Sequence, residues 1–468
     1  MSLIVRSIIL VLLACSTASA VELRENRPGD VLIFPYFNMT NGWDTYIDII
    51  NSGVPEVQFP EILKIHVRDG RTGVLVNTFN YYNYKPQAEN LRLAIGKLWN
   101  DLPPHRHRRI KGGSTVLVVA EGSCVVADDL WAGFPTGSAT VFELGTDIGT
   151  LEVYAVTARL TSEIQESVSS CEDLADFWRS GGIWDVDPLD GIQESSGVQI
   201  SGLATLIHGY NGVSVDYDPL ILGDFSLNIE HTSPSSRYPN LADADPIAVL
   251  PNGTEFIPSS GEGIDAVARI IGIGGSPSLT NQVITAPEVG ATTDWIISYP
   301  LAGYKQYKPF TVQIKGEERA CESFGLDLFD RDPLVEPEAT VEISSDDIYQ
   351  GLYSWGNEKE KGFRGGDISP IRRLEAGASL CNAVNVVTFD GALSSLLETG
   401  SDHIYQLEGV LADSSSSTLR WKLIDPGKHP SIGRPVVAYG VTVFANGTFD
   451  GGNVLANYAT LRRHYLFR

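Results

Sequence analysis

The stretch "VLIFPYFNMTNGWDTYIDIINS", residues 31–52, decides how the chain is read. It sets Phe34, Tyr36, Phe37, Trp43 and Tyr46 around a polar turn, "NMTNG" (38–42). Two readings compete for these aromatics: a platform for a ligand, or the core of a sheet. Alternation puts Trp43, Thr45, Ile47 and Ile49 on one face and Tyr46, Asp48 and Ile50 on the other, the period of a half-buried strand. Aromatic side chains bury large areas and commonly serve packing. We therefore read a hairpin in which "VLIFPYF" pairs with the strand after the turn and the aromatics enter a sandwich core.

The same period two recurs outward from this stretch. Residues 62–70, 72–84, 114–122 and 149–158 read as strands bounded by Gly or Asp turns, and 293–300, 325–332, 382–389 and 434–447 repeat the style. Helical patterns are few. "KPQAENLRLAIGKLW" (85–99) places Leu91, Ile95 and Leu98 on one face, "SCEDLADFWRSGG" (170–182) has Ser170 as a cap, and "GIDAVARIIG" (263–272) is a third. Many short strands with Gly, Asn and Pro turns predict an all-β chain of two immunoglobulin-like or related β-sandwich domains with a few short helices. The Ser-, Pro- and Asp-rich stretch 230–262 reads as a linker or long loop between domains at 21–229 and 263–468.

Residues 1–20, "MSLIVRSIILVLLACSTASA", have Arg6 as their only charge, an apolar run from Ile8 to Leu13 and a small-residue site at Ala18–Ala20. That is the pattern of a secretory signal peptide. A competing reading takes Leu12–Cys15 as a lipobox, with Cys15 acylated. The remaining cysteines, Cys124, Cys171, Cys321 and Cys381, form an even set, which in an exported chain predicts two disulfides. Of the three pairings, Cys124–Cys171 and Cys321–Cys381 each close a loop within one half of the chain. No pair has CxxC spacing, so no zinc site is expected. A net charge of −24 over 468 residues favours solubility and disfavours nucleic acid and anionic membranes as partners.

The residues that carry chemistry are thinly spread. No G-x-S-x-G elbow, H-E-x-x-H helix or Walker loop is present, and "GIGGSP" (272–277) lacks the final glycine of a phosphate loop. "FWRSGGIWDVDPLDG" (177–191) sets Asp185, Asp187 and Asp190 beside Trp178 and Trp184, which suits recognition or hydrolysis of a sugar by aromatic faces and paired carboxylates. The bland alternative is a Trp-anchored helix followed by a polar turn. Asp185, Asp187 and Asp190 also approach a calcium loop, one residue off the EF-hand spacing and without its glutamate. "NYYNY" (80–84) offers Tyr82 and Tyr84 on one face and Tyr81 on the other, a row for stacking or for cross-strand packing. "HRHRRIKGG" (105–113) collects His105, His107 and basic residues that suit an anionic glycan or acidic partner, or a solvated loop. The sequons at Asn38, Asn252 and Asn446 read as turns.

"GDVLIFPYFNMTNGWDTYIDIINS", "ATTDWIISYP" (291–300), "CESFGLDLFDRD" (321–332), "LCNAVNVVTF" (380–389) and "ANGTFDGGNVLANY" (445–458) together resemble a family of uncharacterised exported proteins of Gram-negative bacteria. The strand–turn–strand from Tyr46 to Tyr84 is also similar, at fold level only, to immunoglobulin-like envelope modules. The resemblance implies export and a β-rich architecture, and no reaction. The leading expectation is a non-enzymatic structural or binding protein of the envelope or extracellular space, its partners envelope proteins or glycans. The runner-up is a glycan-binding or glycan-hydrolysing protein using Trp178–Asp190. A third reading, an outer-membrane barrel, fits the alternation but not the irregular strand spacing or the paired cysteines.

Overall fold

The computed structural model describes residues 20–25, 27–51, 61–83, 91–95, 123–127, 130–133, 144–156, 161–168, 170–191, 199–225, 230–250, 253–271, 278–284, 290–304, 311–314, 317–320, 322–330, 372–389, 393–407, 416–423, 435–445, 447–449, 454–455 and 457–464. Strands dominate them, in open sheets, and the helices are few and short, as the periodicities predict. The largest sheet runs, edge to edge, β14 (Glu255–Phe256), β13 (Ala248–Val249), β1 (Val21–Leu23), β12 (Leu220–Gly223), β2 (Val31–Asn38), β9 (Ile148–Ala155), β4 (Glu61–Asp69), β5 (Leu75–Asn83), β7 (Ser123–Ala127) and β8 (Leu130–Gly133). A second sheet, β11 (Val213–Tyr217), β10 (Ile200–His208), β3 (Trp43–Asn51) and β6 (Leu91–Ile95), packs on β2 through β3 and β10. A third runs β22 (Ile404–Leu407), β21 (Val384–Phe389), β16 (Ala291–Ser298), β24 (Val437–Phe444) and β27 (Tyr458–His464). It places β27 against β11, and β16 and β21 against β2 and β9. The fourth sheet is β15 (Ser278–Ile284), β23 (Ser416–Leu423), β19 (Glu322–Asp330) and β20 (Arg372–Leu380). Two hairpins, β17 (Thr311–Ile314) with β18 (Glu317–Ala320) and β25 (Thr448–Phe449) with β26 (Val454–Leu455), complete the strands.

The opening stretch is not the hairpin its turn predicts. β2 pairs with β12 and β9 in the first sheet, and β3 pairs with β10 and β6 in the second. The Asn41–Gly42 turn, with φ of 53° and 78°, therefore arches the chain from one layer to the other. The left-handed backbone at both positions is what Asn-Gly supplies. Every residue of β2 is buried, so it is a central strand covered on both faces. Its ladder with β9 shifts register between Phe34 and Phe37, where Pro35 has no N–H to donate. Gly202 lets β10 close over this strand, because a Cβ there would lie 2.9 Å from the Phe34 ring and 3.1 Å from Leu32.

Residues 91–95 correct a second expectation. They form strand β6 rather than part of a helix, with Leu91, Leu93 and Ile95 opposite Ile49, Ile47 and Thr45. The same letters carry both periods, and the unpaired edge of β3 selects period two. Four α-helices occur among the described residues: α1 (Ser162–Ser167), α2 (Cys171–Trp178), α3 (Ile183–Val186) and α4 (Gly263–Ile271). At α2 the predicted cap is present: Ser170 Oγ accepts from Asp173 N at 3.2 Å, and Asp173 Oδ2 accepts from Ser170 N at 2.8 Å. Ser170→Ala is expected to lower stability by about 1 kcal/mol in urea unfolding, while Ser170→Asp retains the cap. No change on Ser170→Ala would show that the box does not hold this helix.

The described part of 230–262 carries β13 and β14 and joins the first sheet: β13 pairs in parallel with β1, and α4 packs on β1 and β13. Buried apolar residues of both halves, from Val31 and Phe34 to Val384 and Val441, belong to one contiguous core. No helix among the described residues is long and apolar enough to cross a membrane. Residues 1–19, the predicted strand 114–122, the basic stretch 105–113, Tyr84, Asn252, Asn446 and Cys321 lie outside the described residues.

Candidate functional site

The structure turns the predicted sugar platform inward. Trp178 and Trp184 are 6% and 2% exposed. Trp184 stacks on His231, with ring centroids 3.9 Å apart, and packs against Phe177 and Trp178. Both indole N–H groups donate to backbone carbonyls, Trp178 to His231 at 3.3 Å and Trp184 to Asp190 at 3.1 Å. Neither ring offers a face to a ligand. Asp185 and Asp187 are exposed, but each accepts a local backbone N–H, from Gly181 at 2.8 Å and Leu189 at 2.9 Å. They are turn-forming carboxylates. The Tyr82 row is corrected in the same way: Tyr81 and Tyr82 are both 1% exposed, because the first sheet is covered on both faces here. Among the described residues no group of His, Cys, Asp or Glu could hold a metal ion, the calcium candidates Asp185, Asp187 and Asp190 included.

Two other constellations are built from segments far apart in sequence. The first lies at the β2–β3 turn. Trp43 Nε1 donates to the Ser395 carbonyl at 2.7 Å, Asn38 Nδ2 to the Leu396 carbonyl at 2.8 Å, and Asn41 Nδ2 to Ser395 at 3.4 Å. From the other side Asp294 Oδ2, on β16, accepts from Ser395 Oγ at 2.6 Å and Ser395 N at 2.8 Å. Burial pushes the Asp294 carboxyl up to about 6, against the pull of these serine donors. Trp43 also packs edge-on to His208, whose Nδ1 accepts from Asn211 N. Segments 31–52, 291–300 and 380–389, with the loop that follows, thus close on one junction.

The second lies on β4 and β9. Lys64, His66 and Arg68 alternate along one face of β4, all buried. Arg68 binds Glu152 through Nε at 2.5 Å and Nη2 at 3.2 Å, Tyr154 Oη donates to Glu152 at 2.7 Å, and His66 Nδ1 lies 3.5 Å from Glu152. Arg68 Nη2 also reaches Tyr304 Oη at 2.5 Å. Burial works to raise the Glu152 carboxyl, but Arg68 and the hydrogen bonds hold it at about 2. Burial lowers the His66 imidazole despite Glu152. The strap at 231–240 covers this face: Lys64 Nζ donates to the carbonyls of Ser233 at 2.7 Å and Pro234 at 2.8 Å, and Asn80 Nδ2 to Thr232 at 2.9 Å. The alternation of Lys64, His66 and Arg68 along β4 is legible in sequence, but their burial is not. The strap covers Lys64, while Arg68 is enclosed by Glu152 and Tyr304.

His231 anchors the strap, and burial lowers its pKa to about 3. Its proton is therefore taken up by the unfolded chain first. Stability is complete above the unfolded value of about 6.5 and is lost as the pH falls toward 3. The loss from this group is about 2 kcal/mol at pH 5. Asp294 contributes in the opposite sense, because its raised pKa adds stability as the pH falls from 6 toward 3.8. His231→Phe keeps the stack on Trp184 and isolates the histidine. The variant is expected to lose about 2 kcal/mol less than the parent between pH 7 and pH 5 in guanidinium titrations, and equal losses would refute the assignment.

Cys124 lies in β7 and Cys171 opens α2, which packs on β7 and β8. Cys381 is buried and disulfide-bonded. Comparisons with protein-family models, with curated proteins and with solved structures find no match to this chain.

Proposed function

We propose that this chain is an exported, non-enzymatic structural or binding component of the bacterial envelope or extracellular space. One observation carries the reading: the polar side chains that look most like functional groups are spent on clamping loops. Asp294, Trp43 and Asn38 hold the 394–396 loop, and Lys64, Asn80 and Arg68 hold the strap and Tyr304. Ionised groups with internal partners on every side stabilise one conformation rather than meet a substrate. The architecture is read as a sandwich, supported by β2 lying under β3 and β10, and an immunoglobulin-like origin of each half remains part of the proposal.

Cleavage after Ala20 is supported by β1 beginning its pairing at Val21, whereas a lipidated Cys15 would tether the chain to a membrane. The pairing Cys321–Cys381 is supported by the register Glu322↔Leu380, and Cys124–Cys171 by the packing of α2 on β7. In a chain-entropy account a loop of this size is worth about 4 kcal/mol. The test is the intact mass and non-reduced peptide map of the native protein, taken separately from membrane and soluble fractions. A chain starting at Val21, or acylated at Cys15, with both predicted cross-links supports the proposal. An unprocessed chain with free thiols in the cytoplasm overturns it. The glycan reading at Trp178–Asp190 loses its support with both indoles buried.

A further inference from the structure

A single side chain joins two turns to the start of β27 on one surface. Asn457 Nδ2 donates to the Asn211 carbonyl at 3.0 Å, and its Oδ1 accepts from Gly447 N at 3.0 Å. Asn457 thereby ties the β10–β11 turn to the turn after β24 and to the start of β27. Next to the tied residues stand Tyr210, 91% exposed, and Tyr458, 49% exposed. Tyr458 is the cross-strand partner of Phe444, the two rings stacked at 4.4 Å and 13°. One face of Tyr458 is thus fixed by the protein before anything binds. The β10–β11 turn is braced from below, because Asn211 N donates to His208 Nδ1 at 3.1 Å and His208 packs on Trp43.

We propose that Tyr210 and Tyr458 form a binding surface for a neutral polysaccharide, their ring faces stacking on pyranose rings and their hydroxyls bonding to sugar hydroxyls. The inference rests on the binding-protein reading and names its ligand class. An aromatic side chain with an apolar face and a polar tip suits a sugar, whose own faces are apolar and whose rim is hydroxylated. Stacking on Phe444 reduces the ordering cost at Tyr458, and the bonds of Asn457 and His208 to Asn211 hold the backbone of the turn that carries Tyr210. The chain's net charge of −24 selects against polyanions, which leaves neutral polymers as the class that approaches freely.

The test is native affinity electrophoresis of the mature chain in gels cast with neutral glucan, mannan or galactan, with anionic alginate as the charge control. At least one neutral polymer is expected to retard the chain and alginate is not. Tyr210→Ala, and Tyr458→Leu, which keeps the packing on Phe444, are each expected to weaken retention by about tenfold. Unchanged melting curves establish that both variants fold. Retention by none of the neutral polymers, or retention that both variants preserve, overturns the surface. Chemical crosslinking on intact cells separates this failure from that of the broader reading. Envelope-bound chain that ignores all three polymers sinks only the glycan surface, whereas chain confined to the cytoplasm sinks the exported reading itself.

Discussion

Arg68→Met is expected to destabilise the folded chain by about 3–5 kcal/mol, because it leaves Glu152 as a buried carboxylate without its counter-ion. Glu152 is 1% exposed, and neither Tyr154 nor His66 supplies a full positive charge in place of the guanidinium. The size of the effect comes from the stranded charge rather than from the value of the pair. Replacing both partners, Arg68→Met with Glu152→Leu, is therefore expected to recover most of the loss. The acid limb provides a second readout. Glu152 is held at about 2 in the folded chain, so its contribution is present above the usual value near 4.5 and lost as the pH falls from there toward 2. That part of the pH dependence should vanish in both variants. Guanidinium titrations at pH 7 and pH 3 measure it. A single-variant loss below about 1 kcal/mol would place the pair among exchangeable surface-like contacts and sink the claim.

Trp43→Ala is the second large expectation. Trp43 is 1% exposed, and its indole fills the space between His208 and the 393–397 loop. Truncation of a buried Trp typically costs about 3–5 kcal/mol, and the Ser395 carbonyl keeps only the longer hydrogen bond from Asn41 Nδ2 at 3.4 Å. Trp43→Phe keeps most of the apolar volume and loses the N–H, so its cost should be nearer 1–2 kcal/mol, an approximate figure for one buried hydrogen bond and a small void. The location of the damage matters as much as its size. Because Asp294 still holds Ser395 from β16, the loop should loosen rather than detach. Limited proteolysis of Trp43→Ala should cut first between Leu393 and Leu397, and adding Asp294→Asn should accelerate that cut. Unaltered protection of the loop in the double variant would show that these two clamps do not hold it.

Much of the fold was legible in the letters. Period two through Trp43, Thr45, Ile47 and Ile49 appears as β3, the strands expected near 62–70, 149–158, 293–300 and 434–447 appear as β4, β9, β16 and β24, and Ser170 caps α2. These are local properties: alternation and capping depend on a few neighbouring residues. The aromatics of the opening stretch also went where their burial tendency sends them, since Phe34, Tyr36, Phe37 and Trp43 are all interior.

Pairing was not legible. The Asn41–Gly42 turn has the backbone of a tight hairpin, yet both edges of β2 are taken by β12 and β9, which come from residues 220–223 and 148–155. Which strand fills an edge is a competition among distant segments, and a turn's own dihedral angles do not decide it. Leu91–Ile95 shows the same: its letters serve either a helix or a strand, and the open edge of β3 chose. The burial of three candidate site residues was not legible for a related reason. Trp178, Trp184 and Tyr82 have the right chemistry for a ligand, but His231 and the second face of the sheet cover them. The sequence by itself determined where strands such as β3, β4, β9, β16 and β24 and the α2 cap form, because alternation and capping depend on residues a few positions apart. Only the tertiary structure decided which side chains are interior and which face solvent. The strap at 231–240 closes over Lys64, Tyr154 and Tyr304 enclose the Arg68–Glu152 pair, and Asn457 joins turns more than two hundred residues apart beside the exposed Tyr210 and Tyr458.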